Sequence, residues 1–317
     1  MIFCEQLKTK QNNTFTMKKT EISLCLLGIL AWMTACKPSE ANAPQEAENT
    51  PVRDTVLTEC IRFCESTYPY RDGLLVANFG TEALDPLNTQ GKGYILYFEA
   101  GKVDTLLPPQ GYLSAPKGMF IRGERFFVCD VNKVVEFRLD SLSLAPREIV
   151  LPAEDLFVND LAAWGDTLYI SVTNTGRIYR MDLSDPQASP VLWAQVPGAN
   201  GMTFGQDGTL YVASYPADGT TTPDNVVYRI ADLSAPAPEK LFEQAGQYDG
   251  IALSADGKML YVTSWVPSGV FAYDLTAGGE LLPLDLGEFQ GAADMTLRDS
   301  VLYIPDLPAS RVVVRRL

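Results

Sequence analysis

LLVAN at 74–78, FFVCD at 126–130, LYISV at 168–172, LYVAS at 210–214, LYVTS at 260–264 and LYIPD at 302–306 are six versions of one short strand core. With Leu75, Phe127, Tyr169, Tyr211, Tyr261 and Tyr303 taken as equivalents, the spacings are 52, 42, 42, 50 and 42 residues. A repeat near 42 residues made of strand-forming side chains is the signature of a β-propeller, whose small sheets bury their faces only against one another. The chain is therefore expected to be all-β, a single ring of six blades.

Each core is followed by a second apolar stretch, at 93–98, 133–138, 176–181, 225–230, 269–274 and 310–317, and Gly, Asn, Asp and Ser cluster between the two. That pattern reads as neighbouring strands joined by turns. Shorter apolar segments precede five of the cores, GMFIR at 118, LAAW at 161, GMTF at 201, GIAL at 250 and DMTL at 294, and residues 103–107, 147–151, 190–194 and 239–242 can supply outer fourth strands. The two long spacings come from polar stretches at 80–92 and 216–224, which read as loops inserted on one face. The last unit ends on its third strand, which would leave an open edge. Residues 55–63 are expected to pair there and close the ring.

Residues 53–317, 265 in all, are enough for one such ring, and 46% apolar with 20% charged residues excludes a disordered chain. The formal charge is −14; residues 1–35 carry a net +2, so the remainder carries −16. A nucleic-acid partner is excluded on that balance, because phosphate binding needs a basic face. The one basic run, RVVVRR at 311–316 in the last strand, reads as a solvated strand face. The chain has no histidine. Its absence removes Ser-His-Asp and Cys-His nucleophiles, imidazole zinc sites and any histidine base.

Lys18 and Lys19 precede a short apolar run at 22–32 and then Met33, Thr34, Ala35 and Cys36, with Met17 a possible true start. Basic residues, a brief apolar stretch and small residues at the cut describe a secretory signal rather than a membrane span. The ending resembles a bacterial lipobox, with Met33 where Leu is usual, which would make Cys36 the lipidated first residue of an exported lipoprotein. A plain cleaved signal is the alternative. Residues 37–52 are rich in Pro, Ala and Glu and read as a flexible tether between the signal at 1–36 and the propeller at 53–317. The protein is expected at the outer membrane or periplasmic face, as a monomer touching the membrane only through its lipid. Cys60, Cys64 and Cys129 allow at most one bridge among themselves, or none.

The innermost strand of each propeller blade runs beside the channel, so polar residues at equivalent ends converge on the axis. Glu65, Lys117, Asn159 with Asp160, Asn200, Asp249 and Asp294 stand at those ends. Converging carboxylate and amide oxygens suit a hard divalent cation. Asn-Gly and Asp-Gly are also ordinary turn dipeptides, and a turn reading of Asn200-Gly201 and Asp249-Gly250 stands beside the metal reading.

FCESTYPYRDGLLVANFG from 63, FVNDLAAWGDTLYIS from 157, GANGMTFGQDGTLYVAS from 198 and YDGIALSADGKMLYVTSW from 248 together resemble the senescence-marker-protein/gluconolactonase/luciferin-regenerating-enzyme family of six-bladed propellers. The resemblance spans about residues 59–317. It implies that Glu65, Asn200 and Asp249 hold a divalent metal, calcium first and zinc, manganese or magnesium as alternatives, with Asn159 near metal and substrate. It also implies hydrolysis of a sugar lactone or related ester, with Asp249 taking a proton from the attacking water. The chain departs from the family at Cys64, where a glycine is expected, and at Lys117, a cation at the channel end of blade two. Lys117 reads either as a contact for an anionic substrate or as a solvated loop lysine. Tyr68, Tyr70 and Tyr248 read as packing residues or as the lining of the mouth. The competing function is a tethered, non-catalytic propeller that binds a ligand or protein partner, since fold does not dictate activity.

Overall fold

The computed structural model describes residues 54–317, so the signal, the tether and Cys36 lie outside the described residues. A short strand, β1 (Thr55–Leu57), precedes blade one, which is β2 (Cys64–Tyr70), β3 (Gly73–Asn78), β4 (Tyr94–Glu99) and β5 (Lys102–Leu107). Blade two is β6 (Met119–Arg122), β7 (Arg125–Asp130), β8 (Lys133–Arg138) and β9 (Arg147–Val150). Blade three is β10 (Val158–Trp164), β11 (Thr167–Val172), β12 (Arg177–Asp182) and β13 (Val191–Gln195). Blade four is β14 (Ala199–Phe204), β15 (Leu210–Ser214), β16 (Tyr228–Ile230) and β17 (Glu239–Lys240). Blade five is β18 (Tyr248–Leu253), β19 (Met259–Trp265), β20 (Ser268–Asp274) and β21 (Leu282–Leu284). Blade six is β22 (Thr296–Arg298), β23 (Val301–Asp306) and β24 (Arg311–Arg316), with β1 as its outer strand. Every pairing within a blade is antiparallel, and the six quoted cores are the second strands.

The second strands are apolar at nearly every position because neighbouring blades cover both of their faces. Phe126 and Val128 of β7 pack with Leu75, Ala77 and Ile95 of blade one, while Phe127 and Cys129 pack with Leu168 and Ile170 of blade three. At the ring closure Leu74, Val76 and Leu96 of blade one meet Val301, Val312 and Val314 of blade six. The hydrophobic core thus lies between blades, and truncating one of these residues, such as Leu75→Ala, should cost about 2–5 kcal/mol.

The polar residue that ends several cores has a separate task. Asp130 accepts hydrogen bonds from the Ser114 and Ala115 amides (3.1 and 2.7 Å), and Asp306 from those of Gln290 and Gly291 (2.9 and 3.0 Å). Asn78 Oδ1 accepts from the Arg62 amide at 3.0 Å. Each fixes the segment leading into the inner strand of its own blade. All three are buried, and backbone donors satisfy them, as buried polar groups require.

The expected closure occurs, but over fewer residues. Thr55, Val56 and Leu57 pair with Val314, Val313 and Val312. The chain then leaves the sheet at Cys60, whose φ is 60°, and buries Ile61 in the core while the Tyr94 hydroxyl donates to the Cys60 carbonyl at 2.6 Å. A second seam joins the inner strands, where the Asp294 amide donates to the Glu65 carbonyl at 3.1 Å. Cys64 and Cys129 are buried free thiols, so none of the three cysteines named above is bridged to another. The basic run is β24, with Arg311 paired to Asp306 at 2.7 Å and Arg315 bonded to the Leu286 carbonyl.

Both inserted loops open on one face. Cys64 lies opposite Asn78 and Ala199 opposite Ser214, so the β3–β4 and β15–β16 connections stand at the end where the inner strands begin. That end carries the site.

Candidate metal and substrate site

Four of the six inner strands contain a register shift, between Cys64 and Ser66, Val158 and Leu161, Ala199 and Met202, and Tyr248 and Ile251. Within those irregularities lie Glu65, Asn159, Asn200 and Asp249. A β-bulge leaves its extra residue outside the ladder and re-aims the side chain. The four sequence-nominated residues are therefore the ones the backbone turns out of regular alternation.

Gly201 and Gly250 serve this arrangement through size, not turn conformation, since neither has a left-handed φ. A Cβ on Gly201 would meet the Asp249 carbonyl at 2.3 Å, and one on Gly250 would meet the Asp294 Cα at 2.7 Å. Bare backbone is needed there because neighbouring inner strands nearly touch. The turn reading of the Asn-Gly and Asp-Gly pairs is thereby corrected: both lie inside strands, β14 and β18.

Glu65 Oε2, Asn159 Oδ1, Asn200 Oδ1 and Asp249 Oδ1 are buried and lack a hydrogen-bond partner. Buried acceptors are almost always satisfied, so four orphans at equivalent positions call for a ligand that supplies positive charge or protons. Thr105 Oγ1 and Ser264 Oγ are also unpaired; Ser264 sits at the same end of blade five, opposite Tyr248. Asn159 Nδ2 lies 3.5 Å from Glu65 Oε1, which links blades one and three directly. No group of three or more His, Cys, Asp or Glu able to hold a metal exists among the described residues. The set is instead two carboxylates and two amides, a donor chemistry that fits an oxygen-seeking cation such as calcium.

The neighbours divide into satisfied and unsatisfied groups. Asp160 is structural: its Oδ1 accepts from the Leu161 amide at 2.7 Å and its Oδ2 from the Met202 amide at 2.6 Å. Asp294 Oδ2 accepts from the Ser66 hydroxyl at 2.6 Å. Asp249 Oδ2 accepts from the Trp265 indole Nε1 at 2.8 Å. Lys117 is fully buried, which overturns the solvated-loop reading. Its Nζ donates to the Pro86 and Ala115 carbonyls (3.0 and 2.9 Å) and lies over the Phe79 and Phe157 rings, 5.6 and 5.1 Å from their centroids. Two of its three N–H donors are thus committed to backbone, and one of them pins the 80–92 loop.

Burial and mutual repulsion raise the acid pKa values. Desolvation pushes Asp249 up to about 8, with the Asp294 charge adding to it and the Trp265 hydrogen bond and Lys117 opposing it. Asp294 is pushed up to about 7 by burial. Glu65 is raised by burial and then by Asp249 and Asp294, with Lys117 opposing. Burial lowers Lys117, against the pull of Glu65 and other acids. Clustered acids with raised pKa values are a common mark of functional sites.

Sequence reasoning missed Trp265, Tyr215 and Phe79. All three follow directly after a strand core, a position the repeat could have exposed. Tyr68, Tyr70 and Tyr248 are packing residues; Tyr248 is fully buried and its hydroxyl donates to the Gln244 carbonyl at 2.9 Å. A cavity of about 360 Å³ opens elsewhere, at the opposite ends of the inner strands, beside Phe204, Leu253 and Leu297. None of the four residues with orphaned oxygens lines it.

No family profile and no curated protein matches the chain. Solved structures share its fold. A gluconolactonase from Xanthomonas campestris superposes with a TM-score of 0.58 at 18% identity, over 82% of this chain and 88% of that one. A virginiamycin B lyase from Staphylococcus aureus, a catalytically inactive variant with histidine replaced by alanine, superposes with a TM-score of 0.58 at 14% identity, over 84% and 98% of the chains. A chain of a nidogen/laminin complex superposes with a TM-score of 0.54 at 14% identity, over 72% and 90%. The protein is a six-bladed β-propeller whose likeness to these structures is one of fold.

Proposed function

We propose that the protein is a metal-dependent hydrolase that opens a lactone or related carboxylic ester. The observation that carries this reading is the coincidence of four bulges with four buried, unpartnered oxygens. Glu65, Asn200 and Asp249 would hold the cation, calcium by the chemistry of the donors, and Asn159 would stand between it and the substrate. A divalent cation bound there would polarise the substrate carbonyl and acidify a water.

The residues supply the rest. Trp265 fixes Oδ2 of Asp249 and so orients the carboxylate that would take a proton as water attacks the carbonyl carbon. When the ring C–O bond breaks, the same carboxyl returns the proton to the departing oxygen, and a hydroxy acid forms. Lys117 anchors the 80–92 loop and offsets the acids' repulsion, and contact with an anionic substrate would fall to its third N–H.

The lyase likeness is the weaker guide. That lyase is inactive when a histidine becomes alanine, and this chain contains no histidine. The N-terminal pattern supports export and attachment through Cys36 at the outer membrane or periplasmic face; a Cys36→Ser variant should move from the membrane to the soluble fraction.

The test is hydrolysis of a panel of lactones and esters by metal-stripped protein resupplied with calcium, zinc, manganese or magnesium. Activity should require one of these ions and be lost in Asp249→Asn. Unchanged activity in that variant rejects the assigned base, and failure to bind any of the ions at micromolar concentration favours the non-catalytic, ligand-binding reading.

A further inference from the structure

The residue immediately after each strand core forms a collar at the end of the ring that holds the orphaned oxygens: Phe79, Val131, Thr173, Tyr215, Trp265 and Leu307. Five of the six are apolar or aromatic. Phe79 and Leu307 belong to one contact cluster, with Val131 and Trp265 packed against it. Trp265 meets the Tyr215 ring edge-on at 6.0 Å. Its indole N–H on Asp249 sets this collar directly against the oxygen set.

Apart from the Tyr215 hydroxyl and the orphaned Ser264 Oγ, the polar groups at the collar are committed. Trp265 Nε1 is committed to Asp249, the Thr173 hydroxyl donates to the Ala199 carbonyl at 3.0 Å, and Lys117 spends two donors on backbone. Towards solvent the apolar character continues. Leu87 in the 80–92 loop, Leu156 in the segment entering β10 and Val266 in the β19–β20 turn are 42%, 44% and 53% exposed at this same end. Exposed aliphatics also occur on outer strands, Val150 and Val191 among them, and single ones need no explanation. What distinguishes the three is their place in the chain: Val266 follows Trp265, and Leu87 and Leu156 adjoin Pro86 and Phe157, which contact Lys117 Nζ.

We infer that the substrate of this site carries an apolar substituent, an alkyl or aryl group on the lactone or ester, and is not a polyhydroxylated sugar lactone. The inference rests on the hydrolase reading and narrows it. A sugar lactone brings a hydroxyl on nearly every ring carbon, and those turned towards the collar rather than the orphaned oxygens would be buried against aromatic rings. An alkyl or aryl group instead gains contact along the whole approach, in the manner of mostly apolar ligand pockets with a few placed polar groups.

The experiment compares δ-valerolactone, δ-undecanolactone and D-glucono-δ-lactone with the full chain at one saturating metal concentration. The expected result is a kcat/KM at least tenfold higher for δ-undecanolactone than for δ-valerolactone, with gluconolactone below both. Leu87→Ser and Val266→Ser should raise KM for δ-undecanolactone and narrow that ratio. Equal rates for the two alkyl lactones, or preference for gluconolactone, overturns the inference and leaves the hydrolase reading standing. If none of the three turns over, the hydrolase reading fails, and calorimetric binding decides the inference. δ-Undecanolactone bound at least tenfold more tightly than gluconolactone sustains an apolar ligand; equal or weaker binding overturns it.

Discussion

The Trp265 indole N–H donates a 2.8 Å hydrogen bond to Asp249 Oδ2, and Asp249 Oδ1 is left buried with no partner. One carboxylate oxygen is thereby fixed and the other offered. Trp265→Phe keeps most of the ring packing against Tyr215 and removes the donor. A hydrogen bond to a charged acceptor contributes about 1.5–3 kcal/mol, so kcat should fall roughly 10- to 100-fold with a smaller change in KM. Steady-state kinetics checks this, and an unaltered kcat removes Trp265 from the positioning of the base.

The raised acids give the metal-free protein an unusual pH dependence. Asp249 and Asp294 hold their protons in the folded chain up to about 8 and about 7, whereas unfolded aspartates release theirs near 3.8. Between those limits the native state binds more protons than the unfolded state, so stability falls as pH rises. Carboxylates with lowered values in surface turns, such as Asp182 and Asp274, titrate below that window. In excess chelator, Tm should decline from pH 5 to pH 8. Saturating divalent cation should flatten the slope, because it replaces the protons. A chelated Tm that rises across this range contradicts the arrangement of acids.

Ring closure is divided between a weak strand and a strong plug. β1 is three residues long and Val56 at its centre is 40% exposed, so deleting residues 54–57 should lower Tm by a few degrees. Extending the deletion to residue 63 also removes buried Ile61 and the carbonyl that takes the Tyr94 hydroxyl. That truncation should yield no soluble folded protein. Thermal melts followed by circular dichroism decide it, and an unchanged Tm after removal of 54–63 shows that closure does not depend on this segment.

The sequence made the ring legible because its second strands are covered on both faces, and no other environment requires so apolar a core every forty-odd residues. Blade one's inner strand, Cys64–Tyr70, escaped the pattern because it carries Thr67 where blades three, four and five carry Leu161, Met202 and Ile251. The site residues were legible as types at equivalent positions. The bulges that turn Glu65, Asn159, Asn200 and Asp249 out of the ladder were not, since a two-against-one register exists only once the partner strand is paired. Gly201 and Gly250 misled for a related reason: the short sequence looks like a turn, and only the crowding of adjacent inner strands reveals why the side chain is missing. Lys117 had no local signal for burial, because its aromatic and carbonyl partners at 79, 86 and 157 come from other segments.

On the proposed reading the orphaned oxygens of Glu65, Asn200 and Asp249 receive one divalent cation, with Asn159 between it and the substrate. Isothermal titration of chelator-treated protein with calcium chloride near pH 8 tests it most directly, with Asn200→Leu as the companion variant. One calcium per chain is expected, with a Kd in the micromolar range or tighter, weakened at least tenfold in the variant. Absence of binding by the wild-type chain, or identical binding by Asn200→Leu, contradicts it.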